Sequence, residues 1–275
     1  MNALTVDVED YFQVSALAPL IDRASWPSRE CRVAGNVERL LDLFSEHGAH
    51  ATFFTLGWIA ERYPQLVKRI VADGHELASH GYGHLRASEQ SRADFQQDVQ
   101  RAKGLLEDMS GGPVRGYRAP SFSIGDSNPW AFDVLLDAGH RYSSSVYPVQ
   151  HDHYGSPDAP RFPYAVRPGL LEIPLTTVRM WGRNLPAGGG GYFRLAPYSL
   201  SRWALRRVND SDLRPAIFYM HPWEIDPGQP RIPGTGLKTR FRHYVNLDKT
   251  ESRLGRLLGD FRWGRVDEVF APLLS

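Results

Sequence analysis

A single cysteine, Cys31, stands in this chain of 275 residues. It excludes an intrachain disulfide framework and a thiolate zinc site, both of which need several thiols. No apolar run approaches the ~20 residues needed to cross a bilayer. Net charge is almost absent: Lys plus Arg is 32 and Asp plus Glu is 31, giving +1. That balance gives no support for binding nucleic acid or acidic lipid. Met1-Asn2 runs directly into Ala3-Leu4-Thr5-Val6, without a basic n-region or a long apolar stretch. A cytoplasmic start is therefore expected. Low-complexity tails, flexible-linker composition and self-similar periods are also missing, so the chain reads as one domain over residues 1–275.

What the chain does have is alternation. Apolar, β-branched runs at 3–8, 51–56, 75–79, 114–118, 140–145 and 215–220 read as strands. Between them, 3.6-residue periodicity predicts helices over 36–47, 58–73, 91–110, 129–138, 199–208 and 251–261, with Asn36 as the first N-cap. Alternating strands and helices argue for an α/β fold of parallel strands with helices outside, as an open sheet or a closed barrel. Residues 147–169, 183–196 and 226–242 are expected to be long loops near the active site, of the kind that form lids or binding loops.

The residue pattern that organises the chain is His80-Gly81-Tyr82-Gly83-His84. Two imidazoles four residues apart can face one side of a turn and ligate a divalent metal. Asp7, Glu9 and Asp10 cluster after the first strand, Arg118 ends the fourth, and His221 ends the last. All fall at C-terminal strand ends, the edge where parallel α/β folds build their sites. Two histidines and one carboxylate leave coordination positions open for a metal with bound water. A second carboxylate could take a proton from water, His221 could protonate a leaving amine, and Arg118 could hold the base ionised. Together these parts describe metal-assisted amide hydrolysis.

These residues resemble the motifs of carbohydrate esterase family 4, the polysaccharide deacetylases with a NodB homology domain. Thr5-Val6-Asp7-Val8-Glu9-Asp10 resembles the first motif and His80-Gly81-Tyr82-Gly83-His84 the second. Arg118-Ala119-Pro120, Asp137-Ala138-Gly139-His140 and Tyr219-Met220-His221 resemble the later three. Five motifs in order, spread over nearly the whole chain, make the match specific. Gly190–Leu195 and His221-Pro222-Trp223-Glu224 further resemble a branch that accompanies exopolysaccharide and exosortase gene clusters.

The resemblance implies a distorted (β/α) barrel and a metal-dependent N-deacetylase of acetylated amino sugars in a bacterial polysaccharide or its precursor. It implies Asp7 as general base, His221 as general acid, Arg118 orienting Asp7, and His80 and His84 as metal ligands. A backbone N–H on Ser121 would help hold the oxyanion. The implied ion is zinc, with cobalt, nickel or manganese as alternatives. The implied partner is an N-acetylated oligo- or polysaccharide, with no nucleic acid and no membrane span; a homo-oligomer is compatible.

The chain also departs from the family pattern. The adjacent Asp-Asp pair is replaced by Asp7-Val8-Glu9-Asp10, which leaves either Glu9 or Asp10 as the carboxylate ligand. Asp10 keeps the ligand type and is preferred. Gly81 replaces the Ser or Thr that usually braces the metal loop. Tyr192 and Trp223, with Trp181 and Phe193, are candidates for stacking on sugar rings, although packing serves them equally well. His151 and His153 read as loop histidines near the groove. A C–N hydrolase of small amides or ureides and a non-catalytic carbohydrate-binding scaffold are the rival readings.

Overall fold

A computed structural model describes residues 1–151 and 155–274. The alternation expected from sequence gives a curled, mostly parallel sheet. Its strands are β1 (Asn2–Val8), β2 (Thr52–Thr55), β3 (Glu76–Ser79), β4 (Gly116–Tyr117), β5 (Tyr142–Ser143), β6 (Tyr164–Arg167) and β7 (Leu170–Glu172). A hairpin of β8 (Thr177–Met180) and β9 (Arg183–Pro186) forms a separate two-stranded sheet, and β10 (Ile217–Met220) and β11 (Trp263–Gly264) return to the main one. The main sheet runs β10-β1-β2-β3-β4-β5-β7-β6, with β11 also pairing β1; only the β6–β7 pair is antiparallel.

Helices cover the outside: α1 (Val33–Glu46), α2 (Gly57–Arg62), α3 (Pro64–Ala72), α4 (Arg92–Ser110), α5 (Trp130–Asp137), α6 (Gly190–Leu195), α7 (Tyr198–Asp210), α8 (Leu237–Tyr244) and α9 (Leu247–Asp260). β1 is buried at every position, as a central strand covered on both faces must be. Val37, Leu40, Leu41 and Phe44 of α1 pack with Leu4, Val6 and Phe53 in the largest apolar cluster.

Three expectations change. The first helix starts at Val33, three residues before Asn36, because Asp10 Oδ2 accepts the backbone N–H groups of Arg32 (2.6 Å) and Val33 (2.9 Å). A carboxylate from outside the helix does the capping, and Asn36 lies within the helix. Residues 183–196 are not an irregular loop but β9 followed by α6, and the last part of 226–242, from Leu237, belongs to α8. Within 147–169, β6 pairs with β7.

Beyond β7 the sheet is continued by irregular chain. Thr176 Oγ1 accepts Ile217 N–H (2.6 Å), Gly188 O accepts Tyr219 N–H (2.7 Å), and Gly189 bridges Tyr219. A Cβ on Gly189 would sit 2.1 Å from the Tyr219 carbonyl oxygen. Glycine is required there for backbone to lie against β10.

Candidate metal centre and catalytic rim

Parallel register brings the chemistry to one place. β10, β1, β2, β3 and β4 are neighbours, so the residues that follow their C-terminal ends share a rim. His80 N–H continues the ladder to Thr55 O (3.0 Å), and Arg118 N–H continues it to Ser79 O (2.9 Å). At the end of β1, Glu9 N–H turns back to Asp7 O (3.0 Å), which brings Glu9 in over the rim.

Glu9, His80 and His84 are buried, and each offers a ligand atom within 4.8 Å of the others. His80 Nδ1 lies 2.8 Å from the Arg118 carbonyl oxygen. A carbonyl only accepts, so Nδ1 carries the proton and Nε2 keeps its lone pair. Burial lowers the His80 pKa to about 4 despite the nearby Asp7 carboxylate, which keeps the ring neutral, as a metal ligand must be. Burial pushes the Glu9 carboxyl up, but His84 and His221 outweigh it and hold the group at about 2. Glu9 Oε2 lies 2.7 Å from His84 Nε2, outside hydrogen-bond geometry. Among the described residues this buried oxygen has no hydrogen-bond partner. A buried carboxylate oxygen left open beside two imidazoles fits a divalent cation.

Asp10, the preferred carboxylate ligand on sequence grounds, is not in this group. Besides the two amides of α1, its Oδ1 accepts Tyr11 N–H (2.8 Å). Three backbone donors occupy the side chain, so it fixes local structure, and Glu9 stands beside the histidines instead.

The loop between the histidines is braced from outside. Gly81 has φ +73°, and a Cβ there would lie 2.7 Å from Asp98 Oδ2. Asp98, from α4, accepts Tyr82 N–H (3.1 Å). Arg23 donates to the carbonyl oxygens of Gly83 and, at 2.8 Å, of His84. His84 itself is held at φ +53°. A carboxylate and a guanidinium thus do the bracing expected of a Ser or Thr.

Asp7 is 2% exposed and Arg118 0%. Arg118 Nη1 donates to Asp7 Oδ1 (2.6 Å) and Thr5 Oγ1 (2.8 Å); Nε and Nη2 donate to Ser144 O and Oγ (3.1 and 2.9 Å). Four of the five guanidinium N–H groups are thus engaged, which fixes the Asp7 carboxylate. His221 Nε2 lies 4.0 Å from Asp7 Oδ2 and 3.5 Å from Glu9 Oε1. Its Nδ1 pairs with Glu224 Oε1 at 2.7 Å, and Glu224 Oε2 accepts Arg194 Nε–H at 2.6 Å. Burial disfavours the imidazolium, but Glu9, Glu224 and Asp7 outweigh it and raise the His221 pKa to about 9.

The sequence reading assigned no role to Glu224, Arg194, Asp98 or Arg23. The signal for Glu224 lay in His221-Pro222-Trp223-Glu224, where proline opens a turn and position i+3 returns to the first residue. Among the aromatic candidates, Trp223 is not a sugar platform. It is 5% exposed, stacks on His221 and His243, and donates Nε1–H to Glu9 Oε1 at 3.2 Å. Phe193 is buried against Phe218. Tyr192 is half-buried, with its ring 6.5 Å from that of His151. Ser121, at φ +55°, bonds Ser15 through the two hydroxyls at 2.6 Å. His153 lies outside the described residues.

Comparison with known proteins adds a name to this geometry. Residues 26–143 match the polysaccharide deacetylase family, and residues 144–271 match a domain of unknown function (DUF3473). The first segment supplies His80, His84 and Arg118, the second His221, Glu224 and Arg194; β5, β7 and β10 join both into one sheet. A peptidoglycan-N-acetylglucosamine deacetylase from Bacillus cereus is 33% identical over 103 residues, 38% of this chain and 46% of that protein. A chitooligosaccharide deacetylase from Sinorhizobium fredii is 35% identical over 109 residues, 39% and 48% of the two chains. The match thus spans less than half of each relative.

Among solved structures, a putative polysaccharide deacetylase from Mycobacterium smegmatis aligns over 99% of this chain and 91% of its own, with TM-score 0.61 and 19% identity. A family 4 pseudoenzyme from Bacillus anthracis aligns over 98% and 64%, with TM-score 0.51 and 16% identity. These two likenesses show the fold alone. The family match assigns residues 26–143 to a polysaccharide deacetylase domain of the NodB, carbohydrate esterase family 4 type, and the whole described chain takes the fold of these two structures.

Proposed function

We propose that this chain is a metal-dependent hydrolase that removes N-acetyl groups from amino sugars of a bacterial polysaccharide or of its lipid-linked precursor, releasing acetate. One observation carries the reading: a carboxylate locked by Arg118 and an imidazole locked by Glu224 stand within 4.0 Å of each other beside Glu9, His80 and His84. A binding scaffold has no need of a fixed proton acceptor and a fixed proton donor at one point. The same fold holds a pseudoenzyme, so activity follows from these side chains and not from the fold.

Glu9, His80 and His84 would hold the ion, and a bound divalent ion supplies Lewis acidity at the acetamide. Imidazole and carboxylate donors suit zinc, and also cobalt, nickel or manganese. Asp7 takes the proton of the attacking water, and Arg118 keeps Asp7 in place. His221 gives a proton to the amine as the C–N bond breaks, so that water and amide become acetate and free amine. The Ser121 N–H contributes to holding the oxyanion, a contribution of about 3–4 kcal/mol for a well-placed donor. Tyr192 flanks the sugar.

Acetate release from N-acetylglucosamine oligomers and from a lipid-linked N-acetylhexosamine, each with zinc, cobalt, nickel or manganese, tests the proposal. Release from either supports it and chooses between polymer and precursor. No acetate from any combination, with sugar still bound, would favour the scaffold. Turnover of a small ureide instead would favour the rival hydrolase.

A further inference from the structure

The overall charge of +1 conceals a segment of one sign. Residues 173–209 contain six arginines and neither Asp nor Glu, although acids make up 31 of the 275 residues. Arg194 is buried on Glu224, and Arg202 pairs with Asp260. Arg179, Arg183, Arg206 and Arg207 are exposed and have no acidic partner among the described residues.

The same segment exposes large apolar side chains. The β8–β9 hairpin pairs Met180 with Arg183, leaving Trp181-Gly182 as a two-residue turn. Both residues have positive φ, +48° and +76°. That turn favours Asn-Gly, and a bulky residue with positive φ is an outlier. Trp181 is 88% exposed. The strained backbone and the lost burial together point to a use for the ring in that place.

Val178 and Ala187 of the hairpin pack on Ala204 of α7. Leu200 and Trp203, one helical turn apart on α7, are 51% and 41% exposed. Arg206 and Arg207 continue the stripe. Two contiguous elements thus present tryptophan and leucine ringed by arginine.

We propose that the hairpin tip and the exposed stripe of α7 form a docking surface for an anionic lipid membrane. The occupant follows from the shape and charge of the patch. Tryptophan and arginine favour the headgroup layer, where an amphipathic ring sits between water and acyl chain and a guanidinium meets phosphate. Each basic residue near such a surface contributes about fivefold to binding. A glycan or peptide calls for a groove, whereas Trp181 sits on a protruding turn. The docking needs no spanning element, in agreement with the absence, among the described residues, of any helix long and apolar enough to cross a membrane.

The test is flotation of the full chain with vesicles of phosphatidylcholine alone or with about one-third phosphatidylglycerol, a content chosen to give strong negative surface potential. Binding is expected to the anionic vesicles, to weaken with salt, and to fall about tenfold in Trp181→Ser and in Arg183→Glu/Arg206→Glu. Tryptophan emission should shift to the blue on binding, and less so in Trp181→Ser. Trp181 makes little contact with the core, so the melting temperature of Trp181→Ser should match the parent and verify folding. Absence of vesicle binding, or binding indifferent to these substitutions, overturns the proposal. So does a change from dimer to monomer in Trp181→Ser without vesicle binding, which would make the patch a contact between copies.

Discussion

The indole N–H of Trp223 donates to Glu9 Oε1 across 3.2 Å, while the other oxygen of the same carboxylate lies 2.7 Å from His84 Nε2. Residues more than two hundred positions apart thereby set the direction in which Glu9 presents its free lone pairs. Glu9, whose Oε1 lies 3.5 Å from His221 Nε2, is oriented by the same turn that holds His221. The positions of Glu9 and His221 are therefore coupled through four consecutive residues, His221 to Glu224.

Glu9 and Asp10 are adjacent in sequence and opposite in expected phenotype. Glu9→Gln should weaken zinc binding by more than about 100-fold, beyond the effect of losing an outer-sphere partner. Its melting temperature should change little. Asp10→Ala should keep zinc affinity but lose about 1–2 kcal/mol of stability, because the amides of Arg32 and Val33 lose their acceptor. Zinc competition titrations and thermal melts on both variants check this. Reversed phenotypes would return the ligand role to Asp10.

Asp7→Asn should lower kcat by about 10²–10⁴-fold, the usual contribution of a positioned base. Zinc affinity should stay within a few-fold, since Asp7 is spent on Arg118. A near-parental rate would remove Asp7 from the proton-accepting role.

Asp98 holds the loop between His80 and His84 from α4, so Asp98→Ala should cost about 10–100-fold in zinc affinity without altering Glu9, His80 or His84. Gly81→Ser gives a less intuitive result. It restores the residue that family members usually carry, yet it should also weaken zinc, because the new Cβ meets Asp98 Oδ2 at 2.7 Å on a backbone with φ +73°. Equilibrium dialysis of metal-free protein against zinc reads both. Tighter binding in Gly81→Ser would mean that Asp98 is not the brace.

Most of the fold and the first layer of the site were legible because period and edge carry them. Apolar runs in β1, β2, β3 and β10 are short, and the residues just after them are chemically distinctive, so strand ends could be read as site positions. Asp10 was misread because a strand's alternation stops at Val8, and past that point sequence does not say which carboxylate turns inward. The structure engages Asp10 in a long-range cap on α1, and a bond spanning 22 residues leaves no local signature. Trp223 was misread for a related reason: an aromatic beside a catalytic histidine looks the same in sequence whether its face meets a sugar or His243. The region 183–196 hid β9 and α6 because its glycines suggest a loop, whereas Gly189 serves close contact with β10.

His140, in the fourth family-like motif, predicts how the protein meets acid. It is fully buried beside the Tyr117 ring, and burial, aided by Lys103, lowers its pKa from the ordinary 6.5 to about 3. The folded state therefore keeps His140 neutral where the unfolded chain would protonate it. A depressed folded pKa gives stability that is present above 6.5 and lost as pH falls toward 3. Between those values the unfolded state binds one more proton at this site, which contributes up to ~1.4 kcal/mol per pH unit to the slope. His75 and His243, lowered to about 4 and about 3 by burial, act in the same direction. His140→Phe keeps the aromatic contact and removes the titration. Its stability, from urea unfolding at pH 7, 6, 5 and 4, should fall less steeply with acid than the parent's, by up to that one-proton slope. Parallel curves would show that His140 is protonated equally in both states, and that burial at this position does not suppress its charge.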